Sequence, residues 1–522
     1  MNLRQAKSPV APAPVPLPLP LLGWVAGLGL LIGLVCTVYT FLQRDGFNED
    51  EIFQLVFVNE PMPTFFSLFL RLDQHPPFHY LQLVPWSMVS SSDVWMLLNS
   101  LVWHGVSCLV IWAVGRAWLG QSAGLLAAAL FALMPQVVSS ATTLRFYAMI
   151  PALAVLVWWL HVQLLSPRAQ GARWWWALLV VQVALAYSHA IAFYFVFWLA
   201  LAGALQQRAV VGRDAPWRRW LAVQAGVLVL VLPQVLLTLA RAMMARGSGE
   251  LAGGNNDAGG LIDHFGGMTA GWGMQWQWAR VFGASLYLAA LGLGLWRPAT
   301  RLMAGVLLIG PYALATLIGL VLTPMFKTPV YSAMLVPFAC LALAGGLVHV
   351  AGRWSAVPAL ALLAAMAAFV FPASAHLNRG ISPYRTVAAE IKRIAQPGDV
   401  VVIAKPYLYW AVMRYAVAPN WGSPLEVLPP LSGSWLSLTQ RLGQPMSMAL
   451  KLVPRTNQIE YQGVTYVIGE DASLASVRAE RVLVVERPRY PMPVRLAAGF
   501  ADKGLVFQAG TPEVVEIHLH QR

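Results

Sequence analysis

The sequence predicts an α-helical polytopic membrane protein. It should have about eleven transmembrane helices, juxtamembrane helices in its first outer loop, and a small C-terminal α/β domain. Three observations predict this. Apolar residues make up 58% of the 522 residues and charged residues only 11%, where a soluble globular chain carries roughly 25% charge. The apolar residues fall in runs of about 20, the length that crosses the hydrocarbon. Charge and short strand-like runs return together only from residue 376 onward. The mean hydropathy of +0.61 argues against a soluble enzyme, a disordered chain and a fibrous protein. The apolar runs are also too long for the alternating strands of an outer-membrane barrel.

Residues 1–20 carry Arg4, Lys7 and a proline-rich stretch, read as a cytoplasmic N-terminus. The run Leu21–Leu42 exceeds a signal-peptide core and is followed by no small-residue cleavage site, so it is an uncleaved first span. Further spans are expected at 94–115, 121–140, 146–165, 174–190, 190–206, 219–240, 276–296, 301–322, 330–350 and 354–374. The stretch 174–206 is read as two short helices meeting at Tyr187-Ser188-His189. Segment 76–90 is apolar as well. Counting it as a span would move Arg116, Arg173, Arg208, Arg218, Arg297 and Arg353 outside, against the positive-inside rule. Residues 43–93 are therefore one outer loop whose helices lie on or dip into the membrane surface.

A transmembrane domain over 21–375 thus precedes an outer domain over 376–522. In that tail the expected elements are a helix at Tyr384–Ala395 and strands at 400–404, 464–468, 482–485 and 514–519. The net charge of +13 is no nucleic-acid signal, because the basic residues sit in short clusters between apolar runs. Cys36, Cys108 and Cys340 each lie inside an apolar run, as buried small hydrophobes rather than a disulfide framework.

Four groups at the outer face can carry chemistry, because ionisable residues at a membrane are costly unless they serve a purpose. The first is Glu49-Asp50-Glu51, directly after the first span. Adjacent helical carboxylates point in different directions, so one of them can face a cavity as a general base. The blander reading is a solvated N-terminal turn favoured by the helix dipole. The second is His75-Pro76-Pro77-Phe78-His79-Tyr80, with prolines suited to a first helical turn. His75 and His79, four apart, share a face. That spacing admits metal, but no further ligand is evident, and a capped interfacial helix is the plainer reading. The third is Arg145-Phe146-Tyr147 at an outer helix start, where the guanidinium fork can grip a phosphate or snorkel to lipid headgroups. The fourth is Tyr187-Ser188-His189, a substrate contact or a packing histidine. No phosphate-binding loop, dinucleotide glycine motif, cysteine ligand cluster or serine elbow is present.

In this order the groups resemble the membrane glycosyltransferases of the GT-C superfamily, in the branch of bacterial protein-mannosyltransferase-like and aminoarabinose-transferase-like proteins. The similarity rests on Asp50-Glu51, His75-Pro76-Pro77-Phe78-His79-Tyr80, Thr143-Leu144-Arg145-Phe146-Tyr147 and Tyr187-Ser188-His189. The tail pieces Tyr384–Ala388 and Gln396–Val400 add to it, so that it covers roughly residues 20–405. Two departures stand out. Thr143 replaces a family glutamate, and Val330-Tyr331 replaces an Arg-Tyr pair, which leaves Lys327 as a possible substitute phosphate contact.

The resemblance implies transfer of a sugar from a polyprenyl-phosphate donor to an acceptor hydroxyl or similar nucleophile, with inversion. It implies Asp50 as general base with Glu51 second, and Arg145, Tyr147, Lys327 and Arg385 at the donor phosphate. His75, His79, Tyr80 and His189 would line the substrate. The scheme requires no cofactor and no metal, although a divalent ion is compatible with it. The expected partners are the donor lipid, a protein, lipid or glycan acceptor, and the bilayer, but not nucleic acid. The location is a bacterial inner membrane with the C-terminal domain periplasmic. A transporter or flippase of lipid-linked sugars is the alternative, and it predicts charges at mid-membrane that these runs scarcely carry. A scaffold whose tail binds envelope partners is a third reading, and a lipid-linked oligosaccharide ligase or polymerase a related enzymatic one.

Overall fold

The computed structural model describes residues 20–59, 62, 65, 75–166, 171–212, 215–245, 264–266, 277–321, 333–378, 383–403, 406–417, 458–468, 479–486, 500–509 and 514–521. The proline-rich N-terminus, Lys327 and Val330-Tyr331 lie outside the described residues.

Helix follows the apolar runs. The first span is α1 (Pro20–Leu42). The first loop contributes α2 (Glu49–Val58) and α3 (Phe78–Ser87), and the ten-residue α3 is far too short to cross a bilayer. Then come α4 (Asp93–Leu119), α5 (Gln121–Ala132), α6 (Pro135–Ala141), α7 (Ile150–Gln163), α8 (Ala172–Ala186), α9 (Ala192–Val210) and α10 (Trp217–Ala245). After α11 (Gln277–Trp296), helix α12 (Pro298–Met303) passes through a π-helical stretch at Ala304–Ile309 into α13 (Gly310–Val321). Helices α14 (Val336–Ala351) and α15 (Ala356–Asn378) complete the bundle.

Within the described residues all eleven expected segments are mainly helical, that at 330–350 from Val336 onward. Among the described residues six helices are by themselves long and apolar enough to cross a membrane. The pair α5 and α6 makes a seventh if taken as one span, bent by 72° where Pro135 ends the helical ladder. The protein is a multi-pass membrane protein; length alone does not set the number of crossings. Helices α4 and α5 touch backbone to backbone at Gly124, where an added Cβ would lie 2.3 Å from the Arg116 nitrogen.

Among its described residues the tail holds α16 (Tyr384–Ile394), α17 (Pro406–Ala416) and six strands: β1 (Val400–Ile403), β2 (Gln458–Tyr461), β3 (Val464–Ile468), β4 (Arg481–Glu486), β5 (Ala501–Ala509) and β6 (Val515–Gln521). Their order across the sheet is β2-β3-β1-β4-β6-β5. Buried β1 lies parallel to β3 and β4, and the remaining pairs are antiparallel. The expected strands are β1, β3, β4 and β6. Strand β2 is added by a tight hairpin at Gln462 and Gly463, both with positive φ (53° and 76°). Strand β5 is an exposed, bulged edge without apolar alternation.

Among the described residues three hydrophobic clusters result, the smallest being Val400, Val402, Val467, Ala479, Val482 and Val484 on one face of the sheet. Of the other two, one fills the helix bundle. The second begins in the first loop with Phe47, Ile52, Leu55, Tyr80 and Leu83, and takes in Met96 and Leu144. It continues into Tyr384, Val387, Val401, Leu408 and Ile517 of the tail. The first loop and the C-terminal sheet are therefore packed against each other as one body.

Candidate active site

Adjacent Asp50 and Glu51 sit in opposite environments. Asn48 caps α2: its Oδ1 accepts from the Glu51 nitrogen at 3.0 Å, and Glu51 Oε2 accepts from the Asn48 nitrogen at 2.7 Å. This capping box turns the Glu51 carboxylate back over the helix start and into the protein. There it pairs with Arg44 Nη2 and accepts from the Leu144 nitrogen at 2.6 Å. Arg44 also donates to the carbonyls of Gly46 and Thr142, each at 2.9 Å. The knot thus joins the end of α1, the start of α2 and the turn before Arg145. Burial is the largest influence on the Glu51 carboxyl and raises its pKa, against the opposing pull of Arg44, the backbone donors and Arg145.

Asp50 points the other way, its side chain 75% exposed. Beside it stands Arg145, only 8% exposed, with Nη2 at 3.7 Å from Asp50 Oδ2. Arg145 is held from behind. Nη1 donates to the Asp50 carbonyl at 3.3 Å. The Gln54 amide oxygen accepts from Nη1 at 2.9 Å and from Nε at 3.2 Å, while the amide nitrogen donates to His79 Nδ1 at 3.2 Å and to the Leu144 carbonyl at 3.0 Å. That amide orientation satisfies both ends of Gln54, and the reverse satisfies neither. The guanidinium also lies over the Phe146 ring, 5.1 Å from its centroid. Ser100 Oγ fixes the same turn by donating to the Thr143 carbonyl at 2.7 Å.

Phe146 is the hub of a ring cluster. Its centroid lies 4.4 Å from Tyr147, 4.7 Å from His189, 5.2 Å from His75 and 6.0 Å from His79. The Phe78 nitrogen donates to the Tyr187 carbonyl at 3.0 Å, which brings the proline-containing turn of the first loop to the α8–α9 turn. Within the cluster the Ile191 nitrogen donates to His189 Nδ1 at 3.3 Å, directing that imidazole's other nitrogen to carry the proton. Burial first, then the charges of Arg145 and His75, push the His79 pKa down to about 3, so this imidazole is neutral.

The sequence candidates thus divide. Asp50, Arg145, Tyr147, His75, His79 and His189 converge, with His79 buried behind Arg145. Glu51 lies inside the protein. Tyr80 is buried among Phe57 and Phe65, at 5.7 and 6.2 Å between centroids. Arg385 is engaged away from the cluster, donating to Asp93 Oδ2 at 2.8 Å and pairing with Asp45 at 3.4 Å. It belongs to a network that fastens the tail to the first loop. Asp93 also takes Arg414 at 2.6 Å and the Tyr415 hydroxyl at 2.8 Å, and Tyr415 Oη accepts from the Phe47 nitrogen at 2.8 Å. Gly46 beneath it has φ of +81°, and an added Cβ would meet Tyr415 Oη at 2.6 Å. Burial, then Asp93, pushes the Tyr415 phenol up, which keeps it a donor.

Gln54, Asn48, Asp93, Arg414 and Tyr415 were not among the sequence candidates, and Phe146 was named only as the middle of the Arg145-Phe146-Tyr147 motif. Two of them carried a readable signal. Asn48-x-x-Glu51 has the capping-box spacing, and Gln54 lies four residues after Asp50 on the same helix face.

No protein-family model matches the chain, and no curated protein matches it in sequence. Among solved structures it is similar to ArnT from Cupriavidus metallidurans in the apo state, with a TM-score of 0.58 and 14% identity over 95% of this chain and 98% of that one. It is also similar to the same protein bound to undecaprenyl phosphate, with a TM-score of 0.52 at the same identity and coverage. At that identity the likeness is one of fold alone.

Proposed function

We propose that this protein is an inverting glycosyltransferase. It would move a sugar from a polyprenyl-phosphate-linked donor to an acceptor at the membrane face where the first loop and the C-terminal sheet lie. The positive-inside distribution of arginines supports reading that face as the periplasmic side of a bacterial inner membrane. The fold supports this reading, as does the undecaprenyl phosphate held by the ArnT structure. The observation that carries it is the pairing of an exposed carboxylate, Asp50, with a fixed and nearly buried guanidinium, Arg145, 3.7 Å away.

In this scheme Asp50 takes the proton from the acceptor nucleophile, which attacks the anomeric carbon from the face opposite the phosphate. The bond from that carbon to the phosphate oxygen breaks, and its electron pair leaves on the lipid phosphate. Arg145, already positioned by Gln54, stabilises that charge without reorganising. Lys327 remains a second candidate for the phosphate. His75 and His189 contact the sugar and Tyr147 stands with Arg145 at the donor phosphate, while His79 acts through Gln54 as a positioning residue. Glu51 is a positioning residue as well, since both its oxygens are engaged inside the protein. Arg385 fastens the tail to the first loop through Asp93 and Asp45.

The test is sugar release from a panel of radiolabelled polyprenyl-phosphate sugars by the purified protein, with crude envelope as acceptor. Turnover with one donor is expected. Asp50→Asn should lower it by about 10²–10⁴-fold while donor binding persists. Equal turnover by the variant removes Asp50 as base, and no turnover with any donor sinks the transferase reading.

A further inference from the structure

Strand β6 alternates strictly. Val515 and Ile517 turn into the core, so Glu516, His518 and His520 share the opposite face. On β4 the residue directly opposite Glu516 is Glu486. Two like charges face to face across a ladder are destabilising, and more so where water is partly excluded, as it is here at 25% and 17% side-chain exposure. Among the described residues the ion pairs of these glutamates are made with His518 alone, whose Nε2 lies 3.1 Å from Glu516 Oε2 and 3.5 Å from Glu486 Oε1.

The arrangement has the dimensions of a metal site. The three ligand atoms all lie within 4.8 Å of one another. Ligands about 2.0–2.2 Å from a tetrahedral zinc ion stand about 3.3–3.6 Å apart, close to the two imidazole-to-carboxylate separations. Glu516 is also oriented from outside the trio. Gln508 Nε2 on β5 donates to Glu516 Oε1 at 3.2 Å, which leaves Oε2 to face the cation. An imidazole beside two carboxylates selects a borderline cation over calcium or magnesium, which take oxygen.

We propose that Glu486, Glu516 and His518 bind a divalent transition-metal ion of the zinc type, with a fourth position open to water. The ion is structural. It neutralises the facing glutamates and cross-links β4 to the C-terminal strand, on the face of the sheet opposite the core shared with the first loop. It takes no part in sugar transfer as proposed above, so the failure of either reading leaves the other standing.

The test uses the full chain in detergent, stripped with chelator and titrated with zinc at neutral pH, with bound metal counted after desalting. Wild type should bind one more equivalent than His518→Ala or the isosteric double variant Glu486→Gln/Glu516→Gln, and its melting temperature should rise with zinc where theirs does not. Gln508→Ala should weaken binding about 10–100-fold without abolishing it. Circular dichroism establishes that the variants are folded. X-ray absorption of the zinc-loaded wild type should show one imidazole among oxygen ligands. Identical stoichiometry and affinity in wild type and His518→Ala would overturn the site, as would sulfur or multiple imidazole ligands in the absorption spectrum.

Discussion

Two neighbouring regions of α2 carry the same chemical group and use it in opposite ways. At Glu51 the carboxylate is enclosed, with Arg44, Asn48 and Leu144 occupying its oxygens. At Asp50, one residue earlier, it stands 75% exposed with Arg145 at arm's length. The roughly 100° turn between successive helical residues sends one group into the protein and the other to its edge. The difference teaches that the enclosed carboxylate builds the platform on which the open one works. Exposure and free coordination, rather than residue type, decide which of the two can take a proton.

The sharpest way to break that comparison is Glu51→Ala. It strands Arg44 in a buried site and should cost about 3–5 kcal/mol, seen as a large fall in melting temperature together with lost turnover. Asp50→Asn should do the reverse, removing turnover while shifting stability by no more than about 0.5 kcal/mol. If both variants melt alike, the division into platform and working edge is wrong.

A smaller effect is expected further from the edge. Tyr415→Phe leaves the Phe47 nitrogen without its acceptor and removes one donor from Asp93. A loss of about 1–3 kcal/mol should follow, read as a lower melting temperature and a partial fall in kcat. Unchanged stability would mean that the tail is fastened by its apolar core alone.

The remaining effect is a pH dependence, absent at neutral pH. Folded His79 titrates at about 3, whereas in the unfolded chain it would titrate near its ordinary value of about 6.5. The unfolded state therefore binds the extra proton first as pH falls. His79 costs no stability above about pH 6.5, and the loss grows from there down to about pH 3, reaching about 2 kcal/mol by about pH 5. His79→Gln should flatten that part of the melting-temperature profile. An unchanged slope would place the acid sensitivity elsewhere.

The parts of the molecule legible in the sequence are those written in local pattern. Apolar runs marked the eleven helical segments, and the break at Tyr187-Ser188-His189 separated α8 from α9. The grouping of Asp50, Arg145, His75 and His189 was approachable because each sits in a short motif with a distinctive residue type. What was not legible depends on partners far along the chain. Arg385 looked like a free cation until Asp93, 292 positions away, took it up. The role of Glu51 was half visible, since Asn48 announced a cap, but Leu144 lies 93 residues on. Strand β5 carries no apolar alternation because it is an exposed edge.

The bond from Phe47 to Tyr415 spans 368 positions of sequence. At the usual pace of synthesis, about 5–20 residues per second, some 20–70 seconds separate the two ends of that contact on the ribosome. Through that interval every helix of the bundle after α1 is made while the backbone just before Asp50 still lacks its anchor. The anchor behind the working edge thus joins an early part of the chain to one made only after the bundle helices.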